Sequence, residues 1–211
     1  MFIIDFDDTL FDTYRFKRAR VEALDKLGVS EELYWQTYRE ARNDAGGNFC
    51  YSDARHAEML EKAGFGRVEV LNALQSITLR IKDFLFNEVD NFLKSLRALG
   101  QPMVLLSFGE PNFQELKVKG TGVDIYFDRM FMVQDTKEHV IGELLSNVYD
   151  DQFWFINDKV DETLELYRKF PNLQIIFKQA DEFTEGQYKA SGWPYFKNLM
   201  EIKNYVIQQI K

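Results

Sequence analysis

The chain has 211 residues, 45% of them hydrophobic, and a formal net charge of −8. This size fits one large domain or one domain with an insertion, while the negative charge argues against a nucleic-acid partner because a phosphate backbone repels it. No apolar run reaches the roughly 18 to 20 residues of a membrane span, and no signal-peptide pattern is recognisable. We therefore predict a cytoplasmic protein without a membrane partner. Its single cysteine, Cys50, excludes an internal disulfide.

The first predicted element is a short strand, followed by a long helical segment. Phe2-Ile3-Ile4 is continuously apolar, which is typical of a strand buried on both faces of a parallel sheet. From about residue 12 to residue 86, the spacing of apolar residues is helical, glycines punctuate the segment, and no strand pattern of useful length is present. This pattern predicts helices over 14–27, 31–43, 53–63 and 68–84.

The rest of the chain alternates between apolar strands and amphipathic helices. Strands are predicted over 102–107, 152–156 and 173–177, with one or two short apolar runs within 126–133. Helices are predicted over 89–99, 112–119, 136–148, 160–169 and 200–210. This alternation indicates βαβ units and an α/β fold with a parallel sheet. The simplest interpretation is a catalytic core formed by residues 1–11 and 87–211, with an all-helical domain of residues 12–86 inserted after the first strand.

Groups with useful chemistry stand where the predicted strands end. Asp5 and Asp7 follow the first strand, Ser107 ends the second, and Asp158 follows a later one, while Lys137 lies near the start of a helix. In open parallel sheets, ligands bind outside the carboxyl ends of the strands. We therefore expect these side chains to meet at one edge of the sheet.

This set of groups suits phosphoryl transfer. Clustered carboxylates raise each other's pKa values, and Mg²⁺, which commonly takes one or two protein carboxylates together with phosphate, removes that repulsion. Asp5 can then attack phosphorus. Asp7, which lies near the same side if the chain stays extended, can protonate the leaving oxygen and then activate water. Ser107 with the backbone N–H groups after it, and Lys137, can bind phosphate oxygens.

The surroundings of Lys137 favour it for this role. Asp135 and Glu138 have the spacing of a capping box, which predicts that Lys137 lies in the first turn of its helix. The helix dipole disfavours a cation there, and a nearby anion relieves the conflict. Lys117 and Lys119 are alternative candidates for the same role.

Four segments resemble, in order, the four motifs of the haloacid dehalogenase-like hydrolase superfamily. Asp5-Phe6-Asp7-Asp8-Thr9-Leu10 is similar to the first motif, DxDxT, and Val104-Leu105-Leu106-Ser107 to the second. Lys137 resembles the lysine of the third motif, and Phe155-Ile156-Asn157-Asp158 the acidic fourth motif. The resemblance spans Met1 to about Phe177. The helical segment resembles the first-type cap of the family, which is inserted between motifs one and two.

The resemblance implies a Rossmann-like core, Mg²⁺ as cofactor and, most often, hydrolysis of a phosphate ester. By residue-by-residue match, it implies that Asp5 is the nucleophile and a metal ligand. Asp7 is implied to be the general acid/base and to bind the metal through its backbone carbonyl, and Asp158 to be a metal ligand. The residues expected to bind the substrate phosphate are Ser107, Lys137 and Thr9.

The fourth motif departs from the usual pattern of the family, which is Gly-Asp followed by another Asp four residues after the first. Here Asn157 replaces the glycine, Glu162 occupies the later acidic position, and Asp161 stands one residue earlier. Either Asp161 or Glu162 is expected to support the metal, and the sequence leaves the choice between them open.

The predicted function is that of a phosphatase acting on a small soluble phosphate monoester. Dehalogenases and phosphonate-cleaving members of the family lack an aspartate at the position of Asp7, so ester hydrolysis fits this chain better. Two alternatives stay open. One is a phosphomutase or phosphotransferase in which phosphorylated Asp5 donates to a sugar hydroxyl, and the other is a non-catalytic interaction domain that kept the fold.

Overall fold

A six-stranded parallel sheet forms the centre of the fold in the computed structural model, which describes residues 1–146 and 152–210. The strands are β1 (Phe2–Ile4), β2 (Met103–Phe108), β3 (Arg129–Val133), β4 (Phe153–Asn157), β5 (Leu173–Lys178) and β6 (Tyr195–Phe196). Their order in the sheet is β3-β2-β1-β4-β5-β6. The first strand therefore lies at the centre, where the order reverses, and the predicted parallel-sheet α/β fold is confirmed.

Among the described residues, a first group of four helices follows β1, and a second group of six follows later in the chain, its first member still before β2. The first group is α1 (Thr13–Asp25), α2 (Glu31–Arg42), α3 (Asp53–Lys62) and α4 (Arg67–Thr78), and a short 3₁₀ turn, Ile81–Phe84, follows it. The second group is α5 (Val89–Arg97), α6 (Pro111–Thr121), α7 (Glu138–Ser146), α8 (Val160–Lys169), α9 (Glu185–Ser191) and α10 (Leu199–Ile210), with a second 3₁₀ turn at Asp124–Tyr126.

One helix and one strand of the structure were not predicted, and one predicted helix is divided in the structure. The helix predicted over 68–84 divides into α4 and the 3₁₀ turn, and the last two residues of the helix predicted over 136–148 lie outside the described residues. The unpredicted elements are α9 and β6. The strand β6 has only two residues, and it is paired with β5 by backbone hydrogen bonds that a local sequence pattern does not encode.

The core lies on both faces of the sheet because successive side chains of a strand point in opposite directions. Phe2 and Ile4 pack on one face together with residues of α5 and α10, while Ile3 packs on the other face with residues of α7 and α8. All three side chains are fully buried. The short central strand is therefore covered on both sides, and Asp5, directly after it, emerges at the edge of the sheet.

The helices α1 to α4 share a smaller hydrophobic cluster of their own, formed by residues such as Leu24, Tyr34 and Leu60. Arg20 of α1 is buried beside it and forms an ion pair with Asp53, the first residue of α3, at 2.5 Å. The pair links α1 to α3 within this helical segment, which we define as residues 13–84.

Among the described residues, no helix combines the length and the apolar composition that crossing a membrane requires.

Candidate active site

Asp5 is held at the end of β1 by its neighbours in the sheet. Its backbone N–H donates to the carbonyl of Ile156 in β4 at 2.9 Å, and its carboxylate accepts a hydrogen bond from Lys137 Nζ at 2.7 Å. Both side chains are buried, with 6% and 1% of the surface exposed. Burial raises the pKa of Asp5 above its usual value, and the positive charge of Lys137 opposes that shift.

Lys137 lies one residue before α7, so the predicted capping box is wrong. The carbonyl of Lys137 accepts the N–H of Ile141, and the hydroxyl of Thr136 accepts the N–H of Glu138 at 3.2 Å. The side chain of Asp135 accepts only the adjacent N–H, that of Thr136. Lys137 is therefore at the boundary of the helix, where its side chain is free to turn toward Asp5.

The two acidic residues at the start of α8 face different surroundings, because the phase of the helix turns only Glu162 toward Lys137. Glu162 Oε2 accepts from Lys137 Nζ at 3.0 Å and from Asn157 Nδ2 at 3.1 Å, whereas Asp161 is exposed. Burial acts to raise the pKa of Glu162, but Lys137 and Asn157 hold it below the usual value. Asn157, which stands in place of the usual glycine, also donates to Thr163 and so ties β4 to α8.

Asp158 has a buried carboxylate that no described residue contacts through a hydrogen bond. Only 1% of its surface is exposed, and neither carboxylate oxygen accepts a hydrogen bond from a described residue. Burial raises the pKa of Asp158 well above its usual value, and the negative charge of Asp5 adds to the shift. A buried carboxylate with two unused oxygens is costly, and a bound cation removes that cost.

The charges around Asp5 fit a divalent cation. The carboxyl groups of Asp5, Asp158 and Glu162 lie around the ammonium of Lys137, and the charge of Lys159 also acts on Asp158 and Glu162. In the part of the chain that the structure describes, no three acidic, histidine or cysteine side chains are grouped as a metal cage. Mg²⁺ does not need such a cage, since it commonly uses one or two carboxylates, water and substrate oxygens. Asp5 and Asp158, whose charges act on each other, are two carboxylates of this kind.

We expect Mg²⁺ to raise the midpoint of thermal unfolding. Binding at about one hundred times the dissociation constant contributes about 2.7 kcal/mol, which corresponds to a shift of roughly 5 to 10 °C for a domain of this size. The shift is measured by calorimetry with Mg²⁺ and with EDTA. Asp158→Asn should abolish it and Asp161→Asn, which changes an exposed carboxylate three residues away, should retain it. An equal shift in both variants would exclude Asp158 as a ligand.

The two hydroxyl groups predicted to bind phosphate are also buried and unpaired. Ser107 and Thr9 each have 0% of their surface exposed, and neither hydroxyl has a hydrogen-bond partner among the described residues. Ser107 lies in β2, next to β1 in the sheet, two residues beyond the partner of Ile4. Buried hydroxyl groups without a partner can form hydrogen bonds with a ligand at the edge of the sheet.

The chain turns sharply just after Asp7, at Asp8. Asp8 has a φ of 57°, and the N–H groups of Leu10 and Phe11 both donate to the carbonyl of Phe6. Asp8 Oδ1 accepts the N–H of Thr13 at 3.2 Å, which closes the turn. This turn directs Asp7 toward α6 and α1.

Asp7 is held by a lysine that the sequence did not assign to it. Lys117 Nζ lies 2.5 and 2.7 Å from the two carboxylate oxygens of Asp7. Gln114 donates to Asp7 at 2.7 Å and Thr13 at 2.8 Å. Burial acts to raise the pKa of Asp7, but Lys117 and these donors lower it to about 2. One feature of the sequence indicates this pairing. Four residues of α6 are buried, and two of them, Gln114 and Lys117, are polar or charged, whereas the other two are apolar or small.

The ion pair between Asp7 and Lys117 predicts a pH dependence of stability. Because the folded pKa of Asp7 is about 2 and the unfolded value 3.8, this stabilisation, about 2 kcal/mol at most, is complete above about pH 4 and is lost as the pH falls toward 2. In Lys117→Met, burial raises the pKa of Asp7, so the free energy of unfolding should lie further below that of the wild type at pH 7 than at pH 3.

This prediction is measured by urea unfolding in EDTA at both pH values. The matched control is Lys119→Met, because Lys119 is an exposed lysine whose ion pair with Glu115 lies on the surface. A difference between wild type and Lys117→Met that is the same at pH 3 and pH 7 would contradict the assignment.

A cavity of about 250 Å³ lies between the edge of the sheet and the helical segment. Asp5, Asp7 and Asp8 line it from the side of the sheet. The residues that line it from the helical segment include Phe16, Lys17, Tyr38, Arg42 and Phe49. Ser107, Lys137 and Asp158 are not part of its lining and are buried around the end of β1 and its neighbouring strands.

Solved structures with the same fold are numerous. A haloacid dehalogenase-like hydrolase from Burkholderia xenovorans is 18% identical with a TM-score of 0.75, covering 100% of this chain and 97% of its own. A protein assigned as a β-phosphoglucomutase from Thermotoga maritima is 14% identical with a TM-score of 0.66 and 98% coverage of both chains. YfnB from Bacillus subtilis, a hydrolase of the haloacid dehalogenase type solved with magnesium, is 11% identical with a TM-score of 0.56, covering 97% of this chain and 96% of its own.

At these identities the likeness to solved structures establishes the fold alone. No curated protein matches the chain in sequence. The sequence profile of the haloacid dehalogenase-like hydrolases, in contrast, matches residues 1–170, which include all four predicted motifs. The chain therefore belongs to the haloacid dehalogenase-like hydrolase family.

Proposed function

We propose that the protein is a Mg²⁺-dependent phosphatase that hydrolyses a small phosphate monoester through a phosphorylated Asp5. One observation carries the proposal: Asp5 lines the cavity, and its carboxylate also accepts a hydrogen bond from the buried Lys137. A substrate in the cavity can therefore reach the carboxylate of Asp5, while the ammonium of Lys137 holds that carboxylate in position. As predicted from the sequence, we place the reaction in the cytoplasm and expect neither a nucleic acid nor a membrane as partner.

In the first step, a carboxylate oxygen of Asp5 attacks phosphorus, and the bond from phosphorus to the ester oxygen breaks. The leaving oxygen takes a proton from Asp7. Without substrate, Asp7 is ionised because of Lys117. A phosphoryl dianion in the cavity adds negative charge beside Asp7, which raises the pKa of its carboxyl group and favours the protonated form.

In the second step, Asp7 as a carboxylate accepts a proton from water, and the water oxygen attacks the phosphorus bound to Asp5. Inorganic phosphate leaves, and Asp5 is regenerated. The contacts of Asp7 with Lys117 and Gln114 suit this step, because they stabilise the ionised form that acts as the base.

The phosphoryl oxygens are proposed to be bound by the hydroxyl of Ser107 and the ammonium of Lys137, with the hydroxyl of Thr9 beside the first motif. Bound Mg²⁺ would supply positive charge that lets Asp5 and a phosphoryl group approach each other. Asp5 and Asp158 would hold it with the backbone carbonyl of Asp7, and Glu162 would support this set through Lys137 and Asn157. The unpaired oxygens of Asp158 and Ser107 support this assignment.

We propose further that residues 12–86 act as a cap domain over a core of residues 1–11 and 87–211. The helical segment has its own hydrophobic cluster and supplies one wall of the cavity. A cap of this kind excludes bulk water while the phosphoryl group is transferred and opens to release product.

The test is release of phosphate from p-nitrophenyl phosphate with Mg²⁺ and with EDTA. We expect turnover only with Mg²⁺. Conversion of a sugar phosphate to its isomer without net release of phosphate would favour the phosphomutase alternative. An absence of activity over a broad panel of phosphate esters would favour a non-catalytic domain, although the three carboxylates Asp5, Asp7 and Asp158 are all retained.

A further inference from the structure

The cavity is lined by five acidic side chains and by five basic ones. Two of the basic side chains are neutralised, since Arg20 pairs with Asp53 at 2.5 Å and Lys117 pairs with Asp7. The other three have no ion-pair or hydrogen-bond partner among the described residues. These three are Lys17, Arg42 and Lys159.

Lys17 and Arg42 belong to the helical segment and lie near each other. Lys17 is on the face of α1 that also presents Thr13 and Phe16 to the cavity, and its Nζ is 5.5 Å from the centre of the Tyr38 ring. Arg42 is the last residue of α2, and its guanidinium lies 4.5 Å from the centre of the Phe49 ring. The aromatic rings orient both cations without neutralising them.

Lys17 has no carboxylate within ion-pair distance among the described residues. Burial lowers the pKa of Lys17, and the positive charge of Arg42 lowers it further, while Asp7, Asp8 and Glu182 act in the opposite direction. None of these three carboxylates is within ion-pair distance, and Asp7 is already bound to Lys117. Two cations without a direct counter-ion at one wall of a cavity can bind an anionic ligand.

We propose that Lys17 and Arg42 bind a second anionic group of the substrate, so that the substrate class is a small phosphate monoester that also carries a carboxylate or another phosphate. The inference rests on the proposed phosphatase function. Asp5 takes the phosphoryl group at the edge of the sheet, and the second anion lies against the helical segment. The planar guanidinium of Arg42 fits two oxygens of a carboxylate or phosphate at once, and Lys17 adds a point charge.

The size of the cavity limits the rest of the substrate. Pockets for drug-sized ligands are roughly 300 to 1,000 Å³, and this one is about 250 Å³. A substrate with a few carbon atoms between its two anionic groups fits this volume, and a second cavity of about 480 Å³ shares Asp8, Thr13, Lys17 and Glu182 with it.

The experiment compares esters that differ only in charge. Propyl phosphate carrying a terminal carboxylate is compared with its terminal carboxamide, which has the same shape, and with propanediol bisphosphate. We expect kcat/KM with Mg²⁺ to be at least about tenfold higher for the carboxylate or the bisphosphate than for the carboxamide, mainly through KM. The preference should shrink as ionic strength rises. Whichever of the two anions is preferred identifies the second group.

Lys17→Met and Arg42→Gln should each remove most of this preference. The matched control is Arg39→Gln, because Arg39 is an exposed arginine of the same helix that does not line the cavity. It should retain the preference of the wild type. Equal kcat/KM for carboxylate and carboxamide, or a preference that survives both substitutions, would overturn the inference.

A binding measurement separates this inference from the proposed function. Asp5→Asn, which cannot form the covalent intermediate, is titrated calorimetrically with the same carboxylate and carboxamide esters. Tighter binding of the carboxylate that is lost when Lys17→Met is added supports the second anion site, even if the wild type releases no phosphate. Equal binding of the two esters overturns the site, even if the wild type is an active phosphatase.

Discussion

Asp5→Asn will lower the turnover of p-nitrophenyl phosphate by at least about 10³-fold, a loss within the range found when a covalent nucleophile is removed. The amide of asparagine has the shape of the carboxylate but not its charge, so it cannot attack phosphorus. Its carbonyl oxygen can still accept the hydrogen bond from Lys137 that Asp5 Oδ1 accepts at 2.7 Å. The loss should therefore be in kcat, with the thermal midpoint largely retained.

Asp8→Asn is the matched control for this variant. Asp8 lines the same cavity, and asparagine tolerates the left-handed conformation that Asp8 adopts, with a φ of 57°. We expect its kcat to stay within about tenfold of the wild type. Mass spectrometry of acid-quenched wild type should find the phosphoryl group on the peptide that contains Asp5. Unchanged turnover in Asp5→Asn, or an equal loss in Asp8→Asn, would refute the role of Asp5.

The second large effect is on stability. Lys137→Met should lower the free energy of unfolding by about 3–5 kcal/mol, as is usual when one partner of a buried ion pair is removed. Lys137 is the only cation within ion-pair distance of Asp5 and Glu162 among the described residues, at 2.7 and 3.0 Å, and it is almost completely buried. Methionine fills a similar volume but leaves both carboxylates without a cation. The loss is measured by urea unfolding in EDTA.

Two further measurements distinguish lost charge from lost packing. Adding Glu162→Gln to Lys137→Met removes one of the uncompensated carboxylates and should recover part of the stability. Mg²⁺ should stabilise Lys137→Met more than it stabilises the wild type, because the variant has a larger excess of negative charge at the site. If neither change recovers stability, the loss comes from packing and the electrostatic explanation is wrong.

The sequence contained enough information to predict the layout of the site. The segments with Asp5, Ser107 and Asp158 each end an apolar strand, and parallel strands bring their carboxyl ends to one edge of the sheet. That reasoning needs only hydrophobic runs and the residues after them. It failed for β6 and α9, because Tyr195–Phe196 is too short to have a pattern and is formed through pairing with β5.

The partners of the acidic residues could not be predicted in the same way. Whether Lys137 or Lys117 meets Asp5 depends on how α6 and α7 pack against the sheet, and in the structure each lysine holds a different aspartate. The choice of Glu162 over Asp161 depends on the rotation of α8 about its axis, which one residue changes by about 100°. Spacing along the sequence does not fix such a rotation.

By itself, the sequence determined the family, the parallel sheet and the residues at its edge, because these follow from motifs and apolar runs that are local in the chain. Only the tertiary structure decided that Lys117 binds Asp7, that Asp158 keeps two unpaired oxygens, and that Lys17 and Arg42 line one cavity. These features join residues far apart in sequence through packing of helices on the sheet. The interactions between their charges depend on distances in the folded structure, and a local sequence pattern does not specify those distances.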